Sequence, residues 1–460
     1  MRPLCLLTRR SNVLTALVQQ NQRRRLLTLA IETSCDDTSV AVLEKHKNNS
    51  ATLHFHSKIT SDNRSYGGVH PLIAHESHQK NLTILIDRAL HSLPIQASAT
   101  AHLTNALPVE SKNGPEIRKK PDFVTVTRGP GMRASLNTGL DTAKGLAVAW
   151  QIPFLGVNHM QAHALTPRLV SALNVADSNT SDKVEKDPAF PFLTLLVSGG
   201  HTMLVHSRSL CDHEILANTT DMAVGDMIDK SAREVLSPKH LESASDVMYG
   251  RLLESFAFPQ AQPAYNYIPP SSFTRSRSTD LQGYKWTIHP PYSAPGPEGS
   301  IKYADAFTFS GIGSSVKAIM NRHPEMEDIG RRIVARETMA LAFEHLASRV
   351  LFALQRPDLR KIKTLVVSGG VASNQFLNTI LRGNLDVKGY RDVELVFPPP
   401  KFCTDNAAMI AWTGIEMYEA GWRTSLDAMA IRKWAIDPNA EDGGILGIDG
   451  WQSAAAHHHQ

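Results

Sequence analysis

Two histidines four residues apart, in the run Gly156-Val157-Asn158-His159-Met160-Gln161-Ala162-His163, carry the clearest potential for chemistry. On a helix that spacing stacks both imidazoles on one face, where their ring nitrogens reach one metal ion. The flanking Val157, Ala164 and Leu165 would also suit an ordinary half-buried helix. What sets the pair apart is its company: three glycine-rich turns (Arg128-Gly129-Pro130-Gly131, Ser198-Gly199-Gly200 and Ser368-Gly369-Gly370) and a distant acid, Asp405.

The elements that must position these groups read as alternating strands and helices. Residues 26–43 form two β-rich runs around a turn crowded with Thr33, Ser34, Asp36, Asp37 and Thr38. Its hydroxyls and carboxylates can bind a phosphate or a hydrated cation, or serve the turn alone. Residues 123–127 are a strand, then the 128–131 glycine turn, then a helix over 135–150; a helix start after such a turn is a ready anion site. The missing Gly-Lys-Ser/Thr ending excludes a Walker loop. A short strand over 152–157 delivers the chain to His159. Residues 191–205 repeat the opening arrangement, an apolar strand broken at Ser198-Gly199-Gly200-His201 and resumed, which predicts an internal duplication. Two lobes follow, each opening with a hairpin whose tip faces a shared cleft. Helices are expected at 67–91 (after a loop), 221–236, 306–320, 329–355 and from 403 to about 420, with strands at 363–368 and 394–397. His75 and His78 read as substrate-facing or capping. Residues 95–121 read as a surface insertion, 259–300 as a long loop and 435–460 as a tail, whose His457, His458 and His459 are left out of the site.

At 460 residues the chain exceeds one core, and two domains are expected. No run approaches the eighteen or so apolar residues of a membrane span. Net charge is +4, but residues 1–25 hold six arginines and no acid; without them 42 basic residues face 44 acidic ones. The near-neutral body excludes a protein that coats nucleic acid by charge alone. The acid-free leader, with leucines interspersed, predicts a mitochondrial transit peptide over 1–25 and a matrix location. Cys5, Cys35, Cys211 and Cys403 show no metal-knuckle spacing and are sparse for a disulfide scaffold.

Seven stretches, in order over residues 28–415, carry a resemblance: Ile31-Glu-Thr-Ser-Cys-Asp-Asp-Thr-Ser, Arg128-Gly-Pro-Gly, His159-Met-Gln-Ala-His163, Leu196-Val-Ser-Gly-Gly-His-Thr, Ala223-Val-Gly-Asp-Met-Ile-Asp-Lys230, Val367-Ser-Gly-Gly-Val-Ala-Ser-Asn374 and Cys403-Thr-Asp-Asn-Ala-Ala408. Together the chain resembles the TsaD family of tRNA threonylcarbamoyladenosine transferases, in its stand-alone mitochondrial branch. The resemblance implies a duplicated two-lobe α/β fold of the actin, sugar-kinase and heat-shock ATPase type. Lobe I would span 26–170, a linker loop 171–190 and lobe II 191–400, with 401–434 a C-terminal helix returning to lobe I. It implies transfer of a threonylcarbamoyl group from threonylcarbamoyl-adenylate to N6 of adenosine-37 in tRNAs reading codons that begin with A. By resemblance the metal ligands, for zinc or iron, fall on His159, His163 and Asp405. Substrate contacts fall on Val197, Ser198, Gly199, Gly200, His201, Asp229, Gly250 and Asn374, and a homodimer is implied. Asp36 is the candidate base. The chain departs from the family at Asp221-Met222-Ala223-Val224-Gly225-Asp226 and at Met248-Tyr249-Gly250-Arg251, so Gly250 rests on spacing alone.

Three rivals remain. A zincin-type protease needs a glutamate beside its first histidine, where this chain has Met160. An ATPase or sugar kinase of the same fold would not need His159 and His163. A non-enzymatic scaffold would not need the complete metal set.

Overall fold

The computed structural model describes residues 25–96, 105–176, 185–242, 248–259, 265–281, 283–293 and 303–453. The expected transit peptide, apart from Arg25, and the histidines at 457–459 lie outside these. Contacts divide the chain into two units: Met1–Ala189 with Ser209–Asp212 and Asp405–Gln460, and Phe190–Arg208 with His213–Thr404.

In the first unit, β1 (Leu26–Glu32), β2 (Asp37–Lys45) and β3 (Ala51–Thr60) form an antiparallel meander. A side hairpin, β4 (Ala106–Ser111) and β5 (Gly114–Lys119), precedes β6 (Phe123–Gly129) and β7 (Phe154–Asn158). With β16 (Trp422–Thr424) and β17 (Trp451–Ser453) the sheet order is β17-β16-β7-β6-β1-β2-β3. β6 runs parallel to β1, and β7 to β6. β1 reads LLTLAIE and is buried along its length, as a strand covered on both faces must be. Helices Pro71–Leu90 and Arg133–Trp150 cover Leu27, Leu29 and Ile31. Helices His159–Ala176 and Ala407–Glu419 pack together on the other face. The second of these, AAMIAWTGIEMYE, is apolar nearly all round and accordingly buried. Its Gly414 lies so close to β6 that an added Cβ would sit 2.9 Å from the Thr125 Cβ.

The second unit holds β8 (Phe192–Val197), β9 (Thr202–Ser207), β10 (His213–Thr219), the hairpin β11 (Arg277–Leu281) and β12 (Tyr284–Ile288), β13 (Ala306–Phe307), β14 (Thr364–Ser368) and β15 (Glu394–Val396). The main sheet runs β13-β10-β9-β8-β14-β15. Here too an antiparallel meander, β8 to β10, is extended by two strands parallel to its first. The order β10-β9-β8-β14-β15 thus repeats β3-β2-β1-β6-β7. Helix Asp328–Gln355, buried over most of its length, anchors the core.

Several elements differ from expectation. Within the expected surface insertion and long loop stand the hairpins β4–β5 and β11–β12, the latter turning at Gly283 with φ +87°. The expected tail packs onto the first unit: Ile436 and Ile445 are buried, as is Trp434 just before it, and β17 pairs with β16. The helix expected from residue 403 starts at Ala407 and runs to Glu419, after a separate short helix Pro400–Cys403.

Candidate metal centre and glycine-backed turns

The break between those two helices creates the site. Asn406 takes an extended backbone (φ −158°, ψ 149°), and its Oδ1 accepts from the Met409 N–H at 3.0 Å. Capping therefore falls to Asn406, and the Asp405 carboxylate is free for other partners. On the opposing helix, Asn158 at the end of β7 accepts from the N–H groups of Met160 (2.9 Å) and Gln161 (3.1 Å), fixing the start at His159. The His159 and His163 rings stand 4.7 Å apart and nearly perpendicular. Asp405 Oδ1 lies 3.1 Å from His163 Nε2 and 3.3 Å from His159 Nε2. The three donor atoms lie within 4.8 Å of one another, as ligands of one ion would.

The neighbourhood contains a residue that sequence reasoning passed over. Glu32, wholly buried at the end of β1, places Oε2 3.3 Å from His159 Nδ1. It also accepts from the Ser34 N–H (2.6 Å) and the Thr127 hydroxyl. Ser34 Oγ lies 3.3 Å from the same Nδ1. Burial disfavours charge on His159, but Asp405 and then Glu32 outweigh it and raise the imidazole to about 10. Burial likewise opposes the Asp405 carboxylate, yet His159 above all holds it well below its usual range. His163 is pushed down by burial, and its Nδ1 is a buried polar atom without a hydrogen-bond partner. Two imidazoles, a carboxylate and an outer carboxylate on a ring N–H fit zinc or iron. The proton that Glu32 and Asp405 hold on His159 is the charge a divalent cation would replace.

Asp36 follows in the β1–β2 turn; burial, then the Asp405 charge, raises its carboxyl above the ordinary value. In the turn after β6 two amides are already committed. The N–H groups of Gly131 and Met132 donate to the Arg432 and Ser34 carbonyls, so neither amide is open to an anion. Gly131 is small for the same reason: a Cβ there would lie 2.6 Å from the Ser34 oxygen. His75 meets Thr138 Oγ1 at 3.3 Å, and neither His75 nor His78 belongs to the donor set. Cys403 is buried, its thiol pushed up to about 12 by burial.

The expected substrate residues lie in the second unit. Val197 ends β8, and Ser198 Oγ accepts from the N–H groups of Gly200 (3.3 Å) and His201 (3.0 Å), closing the turn on itself. Added Cβ atoms at Gly199 and Gly200 would meet only open space. The turn is backed by two further glycines. The Gly225 N–H donates to the Ser198 carbonyl at 3.1 Å, where a Cβ would stand 2.6 Å from that oxygen. Gly369, at φ +104°, abuts the Val197 carbonyl carbon at 2.8 Å from its would-be Cβ. Asp229 Oδ1 accepts from the Gly250 N–H at 2.8 Å, so these two are neighbours. Asn374 commits its Oδ1 to capping helix Gln375–Val387 through Phe376 and Leu377.

Fold and site define a mixed α/β protein with a metal-competent His–His–Asp centre. The TsaD family model, described as tRNA N6-adenosine threonylcarbamoyltransferase, matches residues 116–412. The chain is 38% identical to the mitochondrial tRNA N6-adenosine threonylcarbamoyltransferase of Schizosaccharomyces pombe, across 93% of this chain and 89% of that protein. The mitochondrial enzyme of that name from Danio rerio is 31% identical over the same shares. That of Methylocapsa acidiphila is 30% identical over 90% of this chain and 97% of its own. The chain belongs to the TsaD family and is a tRNA N6-adenosine threonylcarbamoyltransferase by that membership.

Proposed function

We propose that this chain forms threonylcarbamoyladenosine at adenosine-37 of mitochondrial tRNAs reading codons that begin with A, taking the acyl group from threonylcarbamoyl-adenylate. The observation that carries the metal-dependent form of this reading is the convergence of His159, His163 and Asp405 within 4.8 Å. Zinc or iron bound there would polarise the acyl carbonyl under attack by the adenosine amine. Glu32 holds the His159 ring so that Nε2 faces Asp405. The Ser198–His201 turn, with bare glycines outward, suits close approach of an adenylate oxygen to the backbone. Asp229 suits ribose hydroxyls, with Gly250 and Asn374 completing the contacts. Asp36, its carboxyl raised, is the proposed base. The repeated strand order of the two sheets supports a duplicated actin-type fold. Work as a homodimer in the matrix completes the proposal; no described helix is long and apolar enough to cross a membrane.

Reconstitution tests it: chain without residues 1–25, threonylcarbamoyl-adenylate and unmodified tRNA. Product is expected at adenosine-37 and lost in His159→Ala, His163→Ala and Asp405→Ala proteins that melt like wild type. Unchanged turnover in all three rejects the metal assignment.

A further inference from the structure

His78 lies outside the donor set yet grips the loop beside it. It is fully buried on helix Pro71–Leu90. Its Nε2 is 2.9 Å from the Cys35 carbonyl oxygen and its Nδ1 2.8 Å from Thr38 Oγ1. A carbonyl only accepts, so Nε2 carries the proton and Nδ1 accepts from the hydroxyl. Burial pushes this imidazole below its ordinary value, in keeping with that neutral form. The two bonds span Cys35 to Thr38 and hold the peptide group entering Asp36. The peptide leaving Asp36 is held as well, its carbonyl accepting from the Ser61 N–H at 3.0 Å. The same loop presents Ser34 to His159 Nδ1 and keeps Asp36 within the field of Asp405.

We propose that His78 is a positioning residue for the transfer reaction: by clamping the Cys35 carbonyl and the Thr38 hydroxyl it fixes the backbone that carries Asp36 at the His159–His163–Asp405 centre. This rests on reading that centre as the metal site. A side chain that merely filled volume would be replaceable by leucine; one that clamps the carbonyl is replaceable by glutamine, whose terminal N–H reaches as far as Nε2.

The test compares His78→Leu and His78→Gln for kcat, KM for tRNA, metal content by mass spectrometry and melting temperature. For His78→Leu, kcat is expected to fall by about tenfold to a hundredfold, the range a displaced reacting group loses, with KM little changed. His78→Gln recovers most of that loss at a similar melting temperature. Equal kcat in the two variants, whether both high or both low, overturns the proposal. Should either variant fail to fold, Thr38→Val removes the second clamp without altering volume, and wild-type kcat there overturns it equally. Metal and turnover retained in His159→Ala, His163→Ala and Asp405→Ala would remove the metal reading, whereas wild-type kcat in His78→Leu removes only the clamp.

Discussion

Replacing Glu32 by glutamine changes one atom and forces a choice on the buried site. Oε1 accepts from the Ser34 N–H, while Oε2 accepts from the Thr127 hydroxyl and faces His159 Nδ1. If the glutamine oxygen stays at Oε1, its NH2 opposes the His159 N–H and turns Thr127 from donor to acceptor, leaving that hydroxyl proton without its carboxylate. The ring must then give up its Nδ1 proton and keep the one on Nε2, the nitrogen that faces Asp405. If the oxygen moves to Oε2, the NH2 meets the Ser34 N–H. Either way a buried donor is stranded and a charged acceptor lost, which costs about 1.5–3 kcal/mol. That cost falls on the fold with or without metal; losing the outer carboxylate on a ligating imidazole is what lowers zinc affinity, by about 10- to 100-fold. Competition against a fluorescent chelator measures it, with circular dichroism confirming the fold. Zinc affinity within about twofold of wild type, well under the loss expected for an outer carboxylate, would refute the reasoning.

Two glycines should respond oppositely to alanine. Gly414→Ala forces a methyl against Thr125 in a packed core, an overpacking cost of about 1–3 kcal/mol, read as a lower melting temperature. Gly145→Ala, with open space around its Cβ on an exposed face of helix Arg133–Trp150, should stabilise by about 1 kcal/mol. Gly225→Ala would displace the Ser198 carbonyl and is expected to raise KM for threonylcarbamoyl-adenylate more than it lowers kcat, measured in the reconstituted reaction. Glu416, buried, is bonded bidentately by Arg168 (2.8 and 2.9 Å) and by the Trp412 N–H (2.7 Å). Burial opposes its charge, yet Lys186 and Arg168 lower its pKa from 4.5 to about 2. Its folded value is depressed, so its stabilisation is complete above about pH 4.5 and is lost as pH falls toward 2. Glu416→Gln should therefore cost about 3–5 kcal/mol at pH 7, with the gap to wild type closing across that acid window in denaturant melts.

What the sequence displays depends on how local the cause is. The ridge of His159 and His163 follows from a four-residue spacing, and β1 and β8 from short apolar runs; all three were legible. The β11–β12 hairpin was hidden because Pro, Ser and Tyr dominate the surrounding composition, although Gly283 is a fair turn signal. Residues 434–453 show no period at all: Trp434, Ile436 and Ile445 are buried without a helical or strand face, Trp434 against Arg128 and Trp451.

Glu32 and Asp405 mark the limit most clearly. A lone acid closing an apolar strand reads as the strand's exit to solvent; its burial is made tolerable by Thr127 and His159, roughly a hundred residues away along the chain. Asp405 and Asn406 are both good helix caps, and residue preference alone does not choose between them. Were Asp405 the cap, its oxygen would be spent on backbone N–H groups and neither Nε2 would face a carboxylate. The division of labour is set by the extended backbone at Asn406, and that one-residue shift in where a helix starts is what turns a pair of stacked histidines into a metal-competent centre.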